Sequence, residues 1–225
     1  MDFLAGPLAA GWAIASAAIA LFLAGRAVRR APWPLLADGF RLHGWLGASL
    51  AIALAWILSA KPLPGLSLHL LATPLVALMF GRDLALVAAV PAVLAAWLWR
   101  GGEWTGLAAT WLLAAWLPVT VADGLRRLAD RHVPRNPFTF IFLQGFFAPG
   151  FAFAATVIAA TLAHAAAGIV PWARLSGEFL PYGLLLAWGE AFLSGLLTAV
   201  FAVYEPRWMA AFDDARYLRP PGDPR

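Results

Sequence analysis

Seven stretches of this chain are apolar over lengths near what a lipid bilayer demands. They are Phe3–Gly25, Leu42–Ala60, Leu66–Phe80, Leu84–Trp99, Trp104–Ala122, Phe138–Gly168 and Phe179–Tyr204. A helix rises about 1.5 Å per residue, so about 20 apolar residues cross a hydrocarbon core about 30 Å thick. Backbone groups in lipid must be satisfied internally, and continuous rather than alternating apolar runs select the helix over the barrel strand. With 62% hydrophobic and only 12% charged residues, little polar sequence is left for a soluble core. The expected fold is all-α: a polytopic membrane protein of about seven transmembrane helices. No repeat or low-complexity linker divides it, so residues 1–205 read as one transmembrane domain and 206–225, rich in proline and charge, as a cytoplasmic C-terminal tail.

Charge distribution sets the expected orientation. Arg26, Arg29, Arg30, Arg41, Arg82, Arg126, Arg127, Arg131, Arg135, Arg207, Arg216, Arg219 and Arg225 follow the odd-numbered spans, whereas Lys61, Arg100 and Arg174 follow the even ones. Thirteen against three places the N-terminus outside and the C-terminus in the cytoplasm, as in a multi-pass protein of a bacterial inner membrane. Met1-Asp2-Phe3 lacks the positive n-region of a signal peptide, so the first span is expected to be retained. Asp2 is too bulky for ordinary removal of the initiator methionine, which puts the Met1 amine at the outer surface.

Several function classes drop out. The formal charge of +4 comes from basic residues in loops rather than on one face, which gives no footprint for nucleic acid. Zero cysteines exclude disulfides, thiolate metal sites and cysteine nucleophiles. No GxxxxGK[ST], GxGxxG, HExxH or GxSxG motif occurs, so the chain is not expected to be an enzyme or to hydrolyse nucleotides itself. Tryptophans near the span ends suit the headgroup region, and the small residues of Gly145–Gly150 and Gly189–Gly195 allow close helix packing.

The remaining polar groups of the outer half carry the chemistry. The Met1 amine and Asp2 precede span one, His69 lies about a turn inside span three, His164 lies near the outer end of span six, and Glu190 about halfway down span seven. Imidazole, carboxylate and amine are donors for divalent transition metals, and an ionisable group at membrane depth requires a partner. A structural role is open to each: His69, His164 and Glu190 can also serve by hydrogen-bonding a neighbouring helix. His43 and His132 belong to interfacial loops on the cytoplasmic side. Pro74, Pro91 and the Gly145, Pro149, Gly150 group mark breaks in spans three, four and six that signify either kinks or a cavity-lining backbone. Replacing Glu190 by glutamine is expected to be tolerated for folding, and by leucine to weaken helix packing or substrate handling.

The run Pro64-Gly65-Leu66-Ser67-Leu68-His69-Leu70-Leu71-Ala72-Thr73-Pro74-Leu75, followed by Phe80-Gly81-Arg82, resembles a block of the cobalt/nickel transport (CbiM/NikM-like) family. Trp188-Gly189-Glu190-Ala191-Phe192-Leu193-Ser194-Gly195-Leu196 is similar to a later block of that family. Asn136–Phe142 and Tyr204–Leu218 resemble signatures of a bacterial branch known as energy-coupling factor ABC transporter permeases. The resemblance implies a substrate-capturing membrane component for uptake of a divalent ion such as cobalt or nickel. It implies a coupling transmembrane subunit and ATPase subunits as partners, and no permanently bound cofactor. It also implies a ligand set of amino terminus, second residue and the histidine of the His-Leu block, here Met1, Asp2 and His69, with His164 and Glu190 as further candidates. Characterised members carry histidine at the second position. Asp2 is a harder donor, so a different metal, a remodelled site and no metal all stay open. The alternative function is a non-transporting membrane scaffold or assembly factor that retains the fold.

Overall fold

The structure, a computed structural model, describes residues 2–63, 66–134 and 136–212. Seven helices organise them: α1 (Ala10–Arg30), α2 (Gly39–Ile57), α3 (Thr73–Phe80), α4 (Arg82–Arg100), α5 (Trp104–His132), α6 (Pro137–Ala166) and α7 (Trp172–Tyr204). A short antiparallel hairpin, β1 (Ala60–Leu63) with β2 (Leu66–Leu68), lies between α2 and α3, pairing Ala60 with Leu68 and Leu63 with Leu66. All but α3 are long and apolar enough to cross a membrane.

Helix α4 forms the centre. Ala85, Ala88, Ala89 and Ala92 are fully buried, and their small side chains let α1, α2, α3 and α5 approach its axis. Helices α6 and α7 pack on each other and on α5 and α3. Large apolar side chains such as Leu21, Phe22, Trp99, Phe192 and Leu196 point outward, the inversion expected where the solvent is lipid.

The third apolar stretch departs from the sequence reading. Only Thr73–Phe80 is helical, about 12 Å of rise; Leu66–Leu68 is strand and His69–Ala72 an irregular turn. Pro74 sits in the first turn of α3, where it costs no hydrogen bond, so it begins a helix rather than kinking one. The non-helical stretch is buried among α2, α4 and α7, the setting in which irregular backbone at membrane depth is tolerated. Helix α6 is continuous where a break at Gly145–Gly150 was one expectation. Its residues Phe140–Phe147 form wide π-turns, as do Leu112–Trp116 of α5 and Leu175–Phe179 of α7. Each widened stretch ends two residues before a proline, Pro118, Pro149 or Pro181. A proline ring collides with the carbonyl four residues earlier, and the extra residue per turn gives that carbonyl room.

The bundle has two distinct ends. At one, the Trp45 indole donates to Leu84 O, Trp208 packs on Phe40 and Phe201, and the Ala210 and Ala211 amides donate to Met79 O and Leu78 O. The start of the 206–225 segment thus docks on the end of α3; residues 213–225 lie outside the described residues. At the other end, Trp56 of α2, Arg100 of α4 and Glu103 meet the N-terminal residues.

Candidate metal centre

The N-terminal segment folds back into the second of these ends. The Phe3 amide donates to Thr110 Oγ1 (3.0 Å), the Glu103 amide to Leu4 O (3.0 Å) and the Leu8 amide to Thr105 Oγ1 (3.0 Å). Two glycines make room for it. A Cβ at Gly106 would stand 1.9 Å from Phe3 O and one at Gly102 2.5 Å from Leu4 O, so neither position accepts a side chain while the segment is docked. The Phe3 ring stacks on His164, with centroids 4.0 Å apart and planes within 10°. Asp2 is only 3% exposed.

A polar network receives the Asp2 carboxylate. Ser67 Oγ donates to Asp2 Oδ2 (2.6 Å), and Arg100 Nη1 forms an ion pair with the same oxygen and a bond to Ser67 Oγ (3.1 Å). Arg100 Nη2 donates to the Trp56 carbonyl. Burial works to raise the Asp2 carboxyl, but nearby positive charge, Arg100 included, and the Ser67 hydroxyl overcome it and hold the group down at about 2. Asp2 is therefore an anion whose charge a guanidinium already balances.

His69 lies next to this network, 3% exposed, its ring tilted against Trp56 at 5.2 Å between centroids. Its Nδ1 is 3.1 Å from Leu70 O. A carbonyl only accepts, so Nδ1 carries the proton, and the neutral ring keeps its lone pair on Nε2. That tautomer is the one a metal-ligating imidazole adopts.

Glu190 holds the turn that presents His69. The Leu71 amide donates to Oε2 and the Ala72 amide to Oε1, both at 2.8 Å, so one carboxylate secures two consecutive backbone donors. Ala72 has φ 57°, a left-handed conformation that costs a residue with a Cβ about 1–2 kcal/mol. The Glu190 clamp, the Trp56 indole donating to Leu71 O (3.1 Å) and Thr73 Oγ1 donating to Ala114 O (3.1 Å) offset that cost.

Of the residues singled out from sequence, the structure brings Asp2, His69 and His164 to one end of the bundle, around the docked N-terminus. His164 Nδ1 bonds Ala160 O (2.8 Å) one turn earlier, and the ring also meets the Asp2 backbone. Glu190 approaches from α7 with both oxygens engaged by backbone. Met1 lies outside the described residues. Among the described residues no group of three or more His, Asp or Glu side chains is gathered closely enough to hold a metal by itself. Arg100, Ser67 and Trp56 escaped sequence reasoning; the one available signal was that Arg100 is a basic residue at a span end on the side poor in them.

Comparison with protein families decides the class. The profile described as "CbiM: Cobalt uptake substrate-specific transmembrane region" matches residues 3–208. This chain belongs to the CbiM family. No curated protein and no solved structure matches it. CbiM membership makes the chain a multi-pass membrane component of metal uptake rather than an enzyme, with a metal ion as the family's cargo.

Proposed function

We propose that this chain captures a divalent transition-metal ion of the cobalt/nickel class at its outer end. In this reading it passes the ion inward with a coupling transmembrane subunit energised by separate ATPases. The observation that carries the proposal is that the N-terminal segment, described from Asp2 onward, docks beside the His69 turn. The Asp2 side chain is drawn into the same network that borders the His69 turn, and the imidazole tautomer leaves Nε2 available as a donor. Met1 would supply its amine, and His69 the imidazole. The described carboxylates and imidazoles do not form a closed set of their own, so main-chain donors must complete the coordination. His164 then serves as the platform under Phe3, and Glu190 as the clamp behind His69. The outward orientation of this end is supported by the basic residues Arg29, Arg30, Arg82, Arg126, Arg127 and Arg131 at the opposite one.

A second reading, a membrane scaffold that retains the fold, draws on the Asp2–Arg100 pair, which satisfies the second residue without any metal. Calorimetric titration of detergent-purified protein with Co²⁺, Ni²⁺, Cu²⁺ and Zn²⁺ separates the two. Metal capture predicts saturable binding that His69→Ala weakens at least about tenfold. Absence of binding by the wild type overturns metal capture and leaves the scaffold reading.

A further inference from the structure

Arg100 has a role that neither cobalt-uptake membership nor the proposed ligand set assigns. Its guanidinium stands where a cation is wanted: against a buried carboxylate, beside the imidazole turn, at the point where the N-terminus enters the bundle. It is held by three acceptors, Asp2 Oδ2, Ser67 Oγ and Trp56 O, and it is 11% exposed. Its seating is incomplete, because the buried Nε has no acceptor among the described residues. It also lines a polar cavity of about 260 Å³, shared with Asp2, Lys61, Ser67, Gly101 and Gly102. Because the cavity borders both residues, it leaves the guanidinium room to slide off Asp2 Oδ2 within the same polar space.

We propose that Arg100 is a displaceable internal cation that competes with the captured metal for Asp2, and so sets the affinity and selectivity of the site. The inference rests on the metal-capture reading. Before capture, the guanidinium neutralises Asp2 and keeps the N-terminal segment docked. A divalent ion arriving beside His69 meets the Asp2 carboxylate and is repelled by the guanidinium at short range. Binding therefore requires Arg100 to release Asp2 and turn toward the cavity, where water rehydrates it. No bond is made or broken beyond hydrogen bonds and coordination. Weakly held ions fail to drive the exchange, and ions with strong affinity for nitrogen donors succeed, so the arginine raises the threshold for occupancy.

The test compares full-length wild type with Arg100→Gln and Arg100→Lys, titrated with Co²⁺, Ni²⁺ and Zn²⁺ in detergent, with folding checked by gel filtration and thermal unfolding. Arg100→Gln removes the charge while keeping a polar amide facing the cavity, and it is expected to bind at least about tenfold more tightly than wild type. Arg100→Lys cannot reach Asp2 and Trp56 O together, and is expected to gain about threefold; it carries the test if the glutamine variant does not fold. A merely structural arginine would give weaker or unchanged binding when replaced. Wild type that binds, with folded variants that bind no more tightly, overturns the role of Arg100 and leaves metal capture standing. Failure of wild type and variants alike to bind any of the three ions overturns both.

Discussion

At Asp2, one buried carboxylate ties the N-terminal segment into the bundle. Burial works against its charge, but the positive charges around it, that of Arg100 among them, and the Ser67 hydroxyl prevail and make the docked N-terminal segment sensitive to acid. The folded-state value of about 2 lies below the ordinary 3.8, so the stabilisation is fully present above pH 3.8 and is lost as pH falls through about 2. The shift corresponds to about 2 kcal/mol. Thermal unfolding of wild type between neutral pH and pH 2 should show that loss, and Asp2→Asn should abolish most of it; parallel profiles would contradict the pairing. Glu190 calls for a different forecast from the one its sequence suggested. Glutamine offers one acceptor where two amides need one each, so its NH₂ group faces an N–H. Glu190→Gln should cost about 1–3 kcal/mol and Glu190→Leu more, since leucine leaves both amides unpaired. Equal stability of wild type and both variants would mean that the clamp is dispensable. Asp2 and His69 were legible as residues because donors are rare in an apolar chain. Arg100 was not: a basic residue at a span end reads as an ordinary topology determinant, and only tertiary structure brings it within reach of residue 2.

The elements show where periodicity informs and where it stops. Long apolar runs gave helices, but the run beginning at Leu66 could not be divided by pattern into strand, turn and the half-length helix α3, because Leu, Val and Ala fit all three in an apolar setting. The hairpin went unread for the same reason. Prolines told half their story: Pro118, Pro149 and Pro181 mark π-turns in unbroken helices, and Pro74 a helix start. The glycines at the head of α5 carry the clearest prediction at this scale. Gly106→Ala would place a methyl carbon 1.9 Å from Phe3 O, which the docked segment cannot absorb by small shifts. The variant should keep the bundle folded while residues 2–9 gain hydrogen exchange. Unchanged protection of those amides would contradict the docking.

For the whole molecule, the arrangement is a bundle with one end packed by Trp45, Trp208 and the Ala210–Ala211 segment and the other built around its N-terminal segment. The basic residues at the C-terminal ends of α1 and α5 belong to the opposite end from Asp2 and His69, which argues that the end proposed to capture metal faces outward. A reporter fused after Arg225 should therefore be cytoplasmic and one inserted at Gly101–Gly102 external; both on one side would exclude this topology. The account as a whole rests on the N-terminus and His69 acting as one site. The direct measurement is calorimetric titration of Ni²⁺ and Co²⁺ into wild type, His69→Ala and a form extended by a few residues before Met1. If the two donors share an ion, extension and His69→Ala weaken binding to a similar degree, at least about tenfold. Because a protonated imidazole cannot coordinate, wild-type binding also weakens as pH is lowered. Undiminished binding by the extended protein, alongside loss in His69→Ala, would show that the N-terminus is no part of the site.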